Sequence, residues 1–257
     1  IPILVRFNLD GSLDTSFDSD GSKEINFGNS NETPSSFCIY DYNSSNYGYI
    51  VSSSLDGIIA KVNDDGTFAT FGTNGFYTYN SNPGNYNYSS VNYDYTTGKI
   101  LVSYYNSSSY LTSVYKILPT GINDASFNAG NPISFYLLSG YDVAPNAINT
   151  DDNGNIYVSG VQLYFGGYDT YVKKFLSNGS VDYSYTNTSG GSSARSYSYP
   201  GYVFDASNNT SYTFGTNGSY KMMITKKTAN GLADTTFGSN GIALVDFTDT
   251  YYDNVKS

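Results

Sequence analysis

Histidine and tryptophan are absent from this chain of 257 residues, and cysteine occurs once. Without histidine there is no Ser-His-Asp or Cys-His nucleophile system, no His-ligated zinc and no ordinary base near neutral pH. A single cysteine makes neither an internal disulfide nor a cysteine zinc site. Cys38, between Phe37 and Ile39 in a strand-like segment, reads as a small buried hydrophobe, so cysteine usage leaves the compartment open. Charge is also scarce. Charged residues make up 13%, with 12 Lys plus Arg against 22 Asp plus Glu, a net charge of −10. Five of those cations fall in one repeated position. Few remain for a phosphate-binding face, which makes nucleic acid and anionic membranes poor partners. The longest apolar run, near Ile133–Leu138, is far short of the ~18 residues of a transmembrane helix. No phosphate-cradling glycine loop precedes a helix, and no stretch sustains helical apolar spacing. Almost no helix is expected.

What is abundant is turn and strand material. Gly, Asn, Ser and Thr recur throughout, beside 29 Tyr and 15 Phe. Aromatics suit half-buried pleated surfaces, and Gly and Asn suit tight turns. They fall in a repeat. A basic residue precedes glycine by five positions at Arg6/Gly11, Lys61/Gly66, Lys116/Gly121, Lys174/Gly179 and Lys226/Gly231, so the glycines lie 52 to 58 residues apart. Four copies continue in phase with Asp and then an aromatic: Asp14/Phe17, Asp124/Phe127, Asp182/Tyr185 and Asp234/Phe237. The second copy departs, with Ala69 for the Asp and Phe71 one place early. A period this regular means a repeat architecture running through residues 1–257, read as one domain.

One copy shows the unit. Ser89–Tyr95, Lys99–Tyr104, Tyr110–Leu118 and Pro132–Leu137 are predicted strands, separated by the turns Thr96-Thr97-Gly98, Asn106–Ser109 and Pro119-Thr120-Gly121. Four short antiparallel strands per ~50 residues is the size of one β-propeller blade. The third strand is apolar on both faces, with Leu4, Ile59, Val114, Val172 and Ile224 seven before the glycine. Phe7, Val62, Ile117, Phe175 and Lys227 stand four before it. Such a strand must be covered on both sides, as between stacked blades. Four complete units are counted from Ser35 to Phe247. Ile1–Phe27 supplies the later half of another, and Thr248–Ser257 only a beginning. The fold expected is all-β, four complete blades plus a partial or composite fifth, and an open blade leaves unpaired strand edges.

Arg6-Phe7-Asn8-Leu9-Asp10-Gly11-Ser12-Leu13-Asp14-Thr15-Ser16-Phe17 resembles the delta-60 type of propeller repeat, whose consensus reads approximately Arg-Leu-Asn-x-Asp-Gly-Ser-Leu-Asp-x-Ser-Phe-Gly. Ala229–Gly238 is nearly as close, and the third and fourth copies are weaker. The resemblance implies an exported bacterial propeller, often a module of a large surface protein, docked to adhesion, motility or outer-membrane secretion machinery. Composition agrees, since polar, Asn/Ser/Tyr-rich β-protein of low pI is typical of exported bacterial chains. The expected location is periplasmic, outer-membrane-associated or extracellular. The start at Ile1-Pro2, without Met, means a removed leader or a piece of a longer polypeptide.

Recurrence also decides what the charged residues are for. A catalytic site is made once, whereas Arg6, Lys61, Lys116, Lys174 and Lys226, with Asp14, Asp124, Asp182 and Asp234, recur from copy to copy. The aspartates are expected to accept backbone N–H bonds in Asx corners with the cations nearby. Asn149–Gly154 looks like the start of a calcium loop but has Gly160 where the twelfth-position Glu belongs, and Asp18–Gly21 is no stronger. Neither a metal nor a cofactor is expected, and no catalytic residue is assigned. The candidate binding residues are Tyr86, Tyr88, Tyr104 and Tyr105 in the Tyr-rich connections, and Arg195, Tyr197 and Tyr199 around the loop from Asn187 to Pro200. Tyrosine offers contact area at low entropy cost plus a hydroxyl. The expected function is a non-enzymatic scaffold that binds a protein partner in the cell envelope or at the cell surface. The alternative is a glycan-binding adhesin using rim tyrosines, followed by a glycoside hydrolase with an unseen carboxylate pair.

Overall fold

The computed structural model describes residues 1–28, 33–41, 47–53, 57–79, 87–136, 143–164, 167–185, 201–205, 207–216 and 221–245. Every element in them is a strand except a 3-10 turn at Asn128–Gly130. The first sheet has two strands, β1 (Ile3–Val5) and β2 (Ser22–Glu24). The second has four, β3 (Pro34–Tyr40), β4 (Gly48–Ser53), β5 (Ile58–Asn63) and β6 (Phe76–Thr78). The third runs β7 (Asn87–Asp94), β8 (Lys99–Asn106), β9 (Leu111–Ile117) and β10 (Ile133–Phe135). Then come β11 (Val143–Thr150), β12 (Ile156–Tyr164) and β13 (Gly167–Phe175). The last sheet holds β14 (Gly201–Asp205), β15 (Thr210–Thr216), β16 (Met222–Lys227) and β17 (Ile242–Val245). Each sheet is an antiparallel meander in chain order. In the three-stranded sheet the segment after Tyr185, which includes the loop from Asn187 to Pro200, lies outside the described residues.

The chain divides into two compact units, one of Ile1–Ser109 with Ser113–Ile133 and the other of Tyr110–Thr112 with Ser134–Ser257. In the first unit, Tyr40, Ile50 and Ile59 of the second sheet, with Phe71 from its β5–β6 connection, pack on Val91, Tyr93, Ile100, Val102 and Tyr104 of the third. The opposite face of the second sheet puts Tyr49, Val51, Ala60 and Val62 against Phe17, Ile25 and Phe27. All six residues of β4 are therefore buried, and the two-faced burial read from the third strands is seen across the neighbouring strand as well. In the second unit Tyr157, Val172 and Tyr185 form the corresponding core with Phe204 against it. Phe135 packs on Tyr171 and Phe175 there, at 6.3 and 5.5 Å between ring centroids.

Candidate functional site

The repeated motif is a corner, built the same way in every copy. Its glycines, Gly11, Gly66, Gly121, Gly179 and Gly231, have φ between +77° and +95°, a region open to glycine at no steric cost. Each donates its N–H to the carbonyl three residues back: Gly11 to Asn8 (3.0 Å), Gly66 to Asn63 (3.0 Å), Gly121 to Leu118 (2.9 Å), Gly179 to Leu176 (2.8 Å) and Gly231 to Thr228 (2.8 Å). Gly66 is also pressed against the preceding corner. A Cβ there would come within 2.6 Å of the Asp18 nitrogen, whose N–H donates to Asp65 O (2.9 Å). Gly66 and Gly231 are thus turn-forming residues like the other three, although the copy of Gly66 lacks the aspartate that follows in the rest.

The chain then folds back, and the residue at the Asp position donates to the carbonyl of the basic residue: Asp14 to Arg6, Ala69 to Lys61, Asp124 to Lys116, Asp182 to Lys174 and Asp234 to Lys226. Each aspartate caps the next turn. Asp234 Oδ1 accepts from Thr236 N–H (3.1 Å) and Oγ1 (2.6 Å), and Asp14, Asp124 and Asp182 do the same with Ser16, Ser126 and Ser184. These are the Asx corners expected from the sequence.

The cations sit beside them. Arg6 pairs with Asp14 (2.8 Å), Lys174 with Asp182 (3.1 Å) and Lys226 with Asp234 (2.9 Å). The third copy exchanges partners, so that Lys116 meets buried Asp94 (3.5 Å) and Asp124 takes Lys99 (2.5 Å). The hydroxyl of Thr236 and then the Lys226 ammonium hold the Asp234 carboxyl at about 2. Ser184 and Ser16 likewise lower Asp182 and Asp14. At Asp124 burial pushes the other way, but the hydrogen bonds from Lys99 and Ser126 together outweigh it. Where Ala69 replaces the aspartate, the Lys61 ammonium lies over the Tyr40 ring at 4.2 Å, and burial lowers its pKa against the pull of Asp41. Arg6, Lys174 and Lys226 thus serve their own corners, while Lys116 and Lys61 are engaged elsewhere, with Asp94 and over Tyr40.

The candidate tyrosines fare differently. Tyr104 and Tyr105 are each 1% exposed, which corrects their assignment as contact residues. Tyr104 stacks edge-on with Tyr79 at 5.3 Å inside the inter-sheet core. Adjacent residues of a strand point to opposite faces, and both faces of β8 are covered. Tyr88 contributes its backbone to the β7–β8 ladder opposite Tyr105. The side chain of Tyr88, and Tyr86, Arg195, Tyr197 and Tyr199 entirely, lie outside the described residues. Cys38 is half-buried against the core of the first unit rather than fully buried, and desolvation pushes its thiol up to about 12. Asp151, in the calcium-like segment, accepts from Asn153 N–H, Asn155 N–H, the Asn155 amide and the Tyr157 hydroxyl, and so caps the β11–β12 hairpin. Among the described residues no group of three acidic, Cys or His side chains is placed to hold a metal.

A feature not singled out from the sequence is the exposed apolar strip of the first unit. Ile3 (58%), Phe7 (61%) and Phe37 (62%) face solvent, with Val5, Leu9 and Leu13 also exposed. Phe7 holds the four-before-glycine place at which Val62, Ile117 and Phe175 are fully buried. Its exposure corrects the expectation of burial there. The residue type obeyed the repeat, but no described strand lies on that side of β1. Between β1 and the second sheet runs a cleft of about 380 Å³ lined by Pro2, Leu4, Val5, Ile25, Phe37 and Val51, among others.

A family model described as a domain of unknown function (DUF5122) beta-propeller matches residues 2–17 and 152–185. The two segments hold the corners of Gly11 and Gly179. Both segments match a β-propeller model. No curated protein matches the chain. Among solved structures, the exo-β-1,3-galactanase of Phanerochaete chrysosporium overlaps 90% of this chain and 52% of its own, at 10% identity and a TM-score of 0.41. Prolyl oligopeptidase B of Galerina marginata overlaps 81% of this chain and 26% of its own, at 9% identity and 0.38. The chain thus spans about half or less of these proteins, and TM-scores this low carry no argument about what it does. Among the described residues, no helix is long and apolar enough to cross a membrane.

Proposed function

We propose that this chain is a non-enzymatic propeller module that binds another protein, built from four complete blades of the delta-60 type and part of a fifth. The exposed apolar strip from Ile3 to Phe37 is the observation that carries this reading. Apolar side chains exposed round one cleft, as Ile3, Val5 and Phe37 are, cost solubility on a chain this polar unless a partner covers them. The aspartates of the corners support the non-enzymatic half of the proposal, since each is committed to a capped turn and, in four copies, to a cation. Composition and the resemblance support export to the cell envelope or surface, where adhesion, motility and secretion assemblies supply protein partners.

Affinity capture of the full chain from the cells that produce it, with mass spectrometry of what is retained, tests the proposal. A stoichiometric protein partner is expected. A chain that comes down alone removes the reading, and saturable binding on a glycan array replaces it with the adhesin alternative. That alternative has lost Tyr104 and Tyr105 to the core.

A further inference from the structure

Few side chains of this protein give up an electron easily, and most that do are phenols. Tryptophan and histidine are absent, cysteine occurs once and methionine twice, beside 29 tyrosines. Three of those phenols stand in file in the first unit, from solvent into the core between the second and third sheets. Tyr95 is 58% exposed, whereas Tyr93 and Tyr40 are buried. The Tyr95 ring meets Tyr93 edge-on at 5.1 Å, and Tyr93 lies 6.2 Å from Tyr40 of the neighbouring sheet.

The three differ in where their protons go. An oxidised phenol is a strong acid, so its electron leaves readily only when a base within hydrogen-bond reach takes the proton. Tyr95 donates to the Ile39 carbonyl (2.7 Å) and Tyr40 to the Asn63 amide oxygen (3.1 Å), and neither oxygen takes up a proton near neutral pH. Tyr93 donates to Asp41 Oδ1 at 2.6 Å, and Asp41 is exposed, so a proton received there passes on to water. Charge also separates Tyr93 from Tyr40. The Lys61 ammonium lies 4.2 Å over the Tyr40 ring and opposes positive charge on it. Burial and then the Asp41 bond push the Tyr93 hydroxyl above its ordinary pKa. It is thus a phenol at neutral pH, and its proton leaves only with an electron.

Tyr157 is the contrast. It too donates to a carboxylate, Asp151 Oδ2 at 3.2 Å, but Asn153 and Asn155 already occupy Asp151 with their N–H groups. The Lys174 ammonium lies over the Tyr157 ring as well, at 5.3 Å.

We propose that Tyr93 is a radical site, from which a one-electron oxidant in solution draws an electron through the Tyr95 ring while the phenolic proton moves to Asp41 Oδ1. The oxidant is reduced by one electron, Tyr93 becomes a neutral tyrosyl radical, and Asp41 becomes a carboxylic acid that returns its proton to water. Burial keeps the radical from coupling with a second molecule. The site is independent of the protein-binding reading and gives the chain a sink for oxidising equivalents.

The test oxidises the 257-residue chain at neutral pH with less than one equivalent of photogenerated tris(bipyridyl)ruthenium(III), and follows the tyrosyl absorbance and EPR signal. One persistent signal is expected, forming more slowly in heavy water because proton and electron leave together. Tyr93→Phe should abolish it, and Tyr157→Phe should leave it unchanged. Asp41→Asn, which keeps the hydrogen bond but takes no proton, should slow its formation by about tenfold or more. Tyr95→Phe should slow formation without changing the lifetime. Thermal melts confirm that each variant folds, and the heavy-water comparison needs no variant. The inference is overturned by a persistent signal that survives Tyr93→Phe or forms as fast in Asp41→Asn. Equal rates in the two solvents, or no persistent signal from the parent chain, overturn it too.

Discussion

Gly121 answers to two constraints, and Gly11 to one. Both have φ above +80°, where an added Cβ costs about 1–2 kcal/mol. At Gly121 that Cβ would also overlap the backbone of Gly72, whose N–H donates to Thr120 O (3.0 Å), whereas at Gly11 it meets nothing within 4 Å. Gly121→Ala should therefore cost about 1–3 kcal/mol more than Gly11→Ala, read as the difference in urea midpoints at equal m. Lys227 is the reverse case, a cation at a place where three other copies bury Val62, Ile117 and Phe175. Burial lowers its pKa to about 8. The unfolded lysine holds its proton to higher pH, so stability should rise as pH goes from about 8 toward 10 and level off where tyrosines begin to ionise. Lys227→Ile should add about 1–2 kcal/mol at pH 7 and abolish that rise. Thermal melts at pH 7, 8 and 9 check both.

At the scale of elements, what was legible in the sequence was local. Basic residue, glycine, aspartate and aromatic lie within a dozen positions, and the corner they form closes through bonds such as Asp234 N–H to Lys226 O (3.0 Å). The partner exchange of Lys116 and Asp124 was not legible, because Asp94 and Lys99 reach them across the sheet. Nor was the burial of both Tyr104 and Tyr105, since alternation distinguishes faces only when one of them is wet. Phe7 shows the opposite failure, a core residue type with no core above it. The corner itself makes a separable prediction. Asp234→Ala removes cap and ion pair and should lower Tm by roughly 2–4 °C, while Asp234→Asn keeps the acceptor for Thr236 and should lower it less. Neither should change partner binding, and a loss of binding with unchanged melting would contradict the structural role.

For the whole molecule the corners act as a set. Asp14, Asp124, Asp182 and Asp234 are all held below their ordinary value of 3.8. A carboxyl depressed by folding contributes stability above its unfolded pKa and loses it as pH falls through the folded one. Tm should stay nearly level from neutral pH down to about pH 5 and drop below about pH 4, most steeply toward the value near 2 of Asp234. Asp234→Asn should make that acid limb shallower in calorimetric scans. The repeat thus accounts for its aspartates as fold-making groups, and the contact surface proposed for this chain is the apolar strip of the first unit. The most direct measurement sets the captured partner's affinity for Phe7→Ser/Phe37→Ser beside that for Asp234→Ala, with both variants melted in parallel. The account predicts that the strip variant loses the partner while melting close to the parent chain, and that the corner variant melts lower and binds as before. Undiminished binding by the strip variant, or binding lost only with the corner, would contradict it.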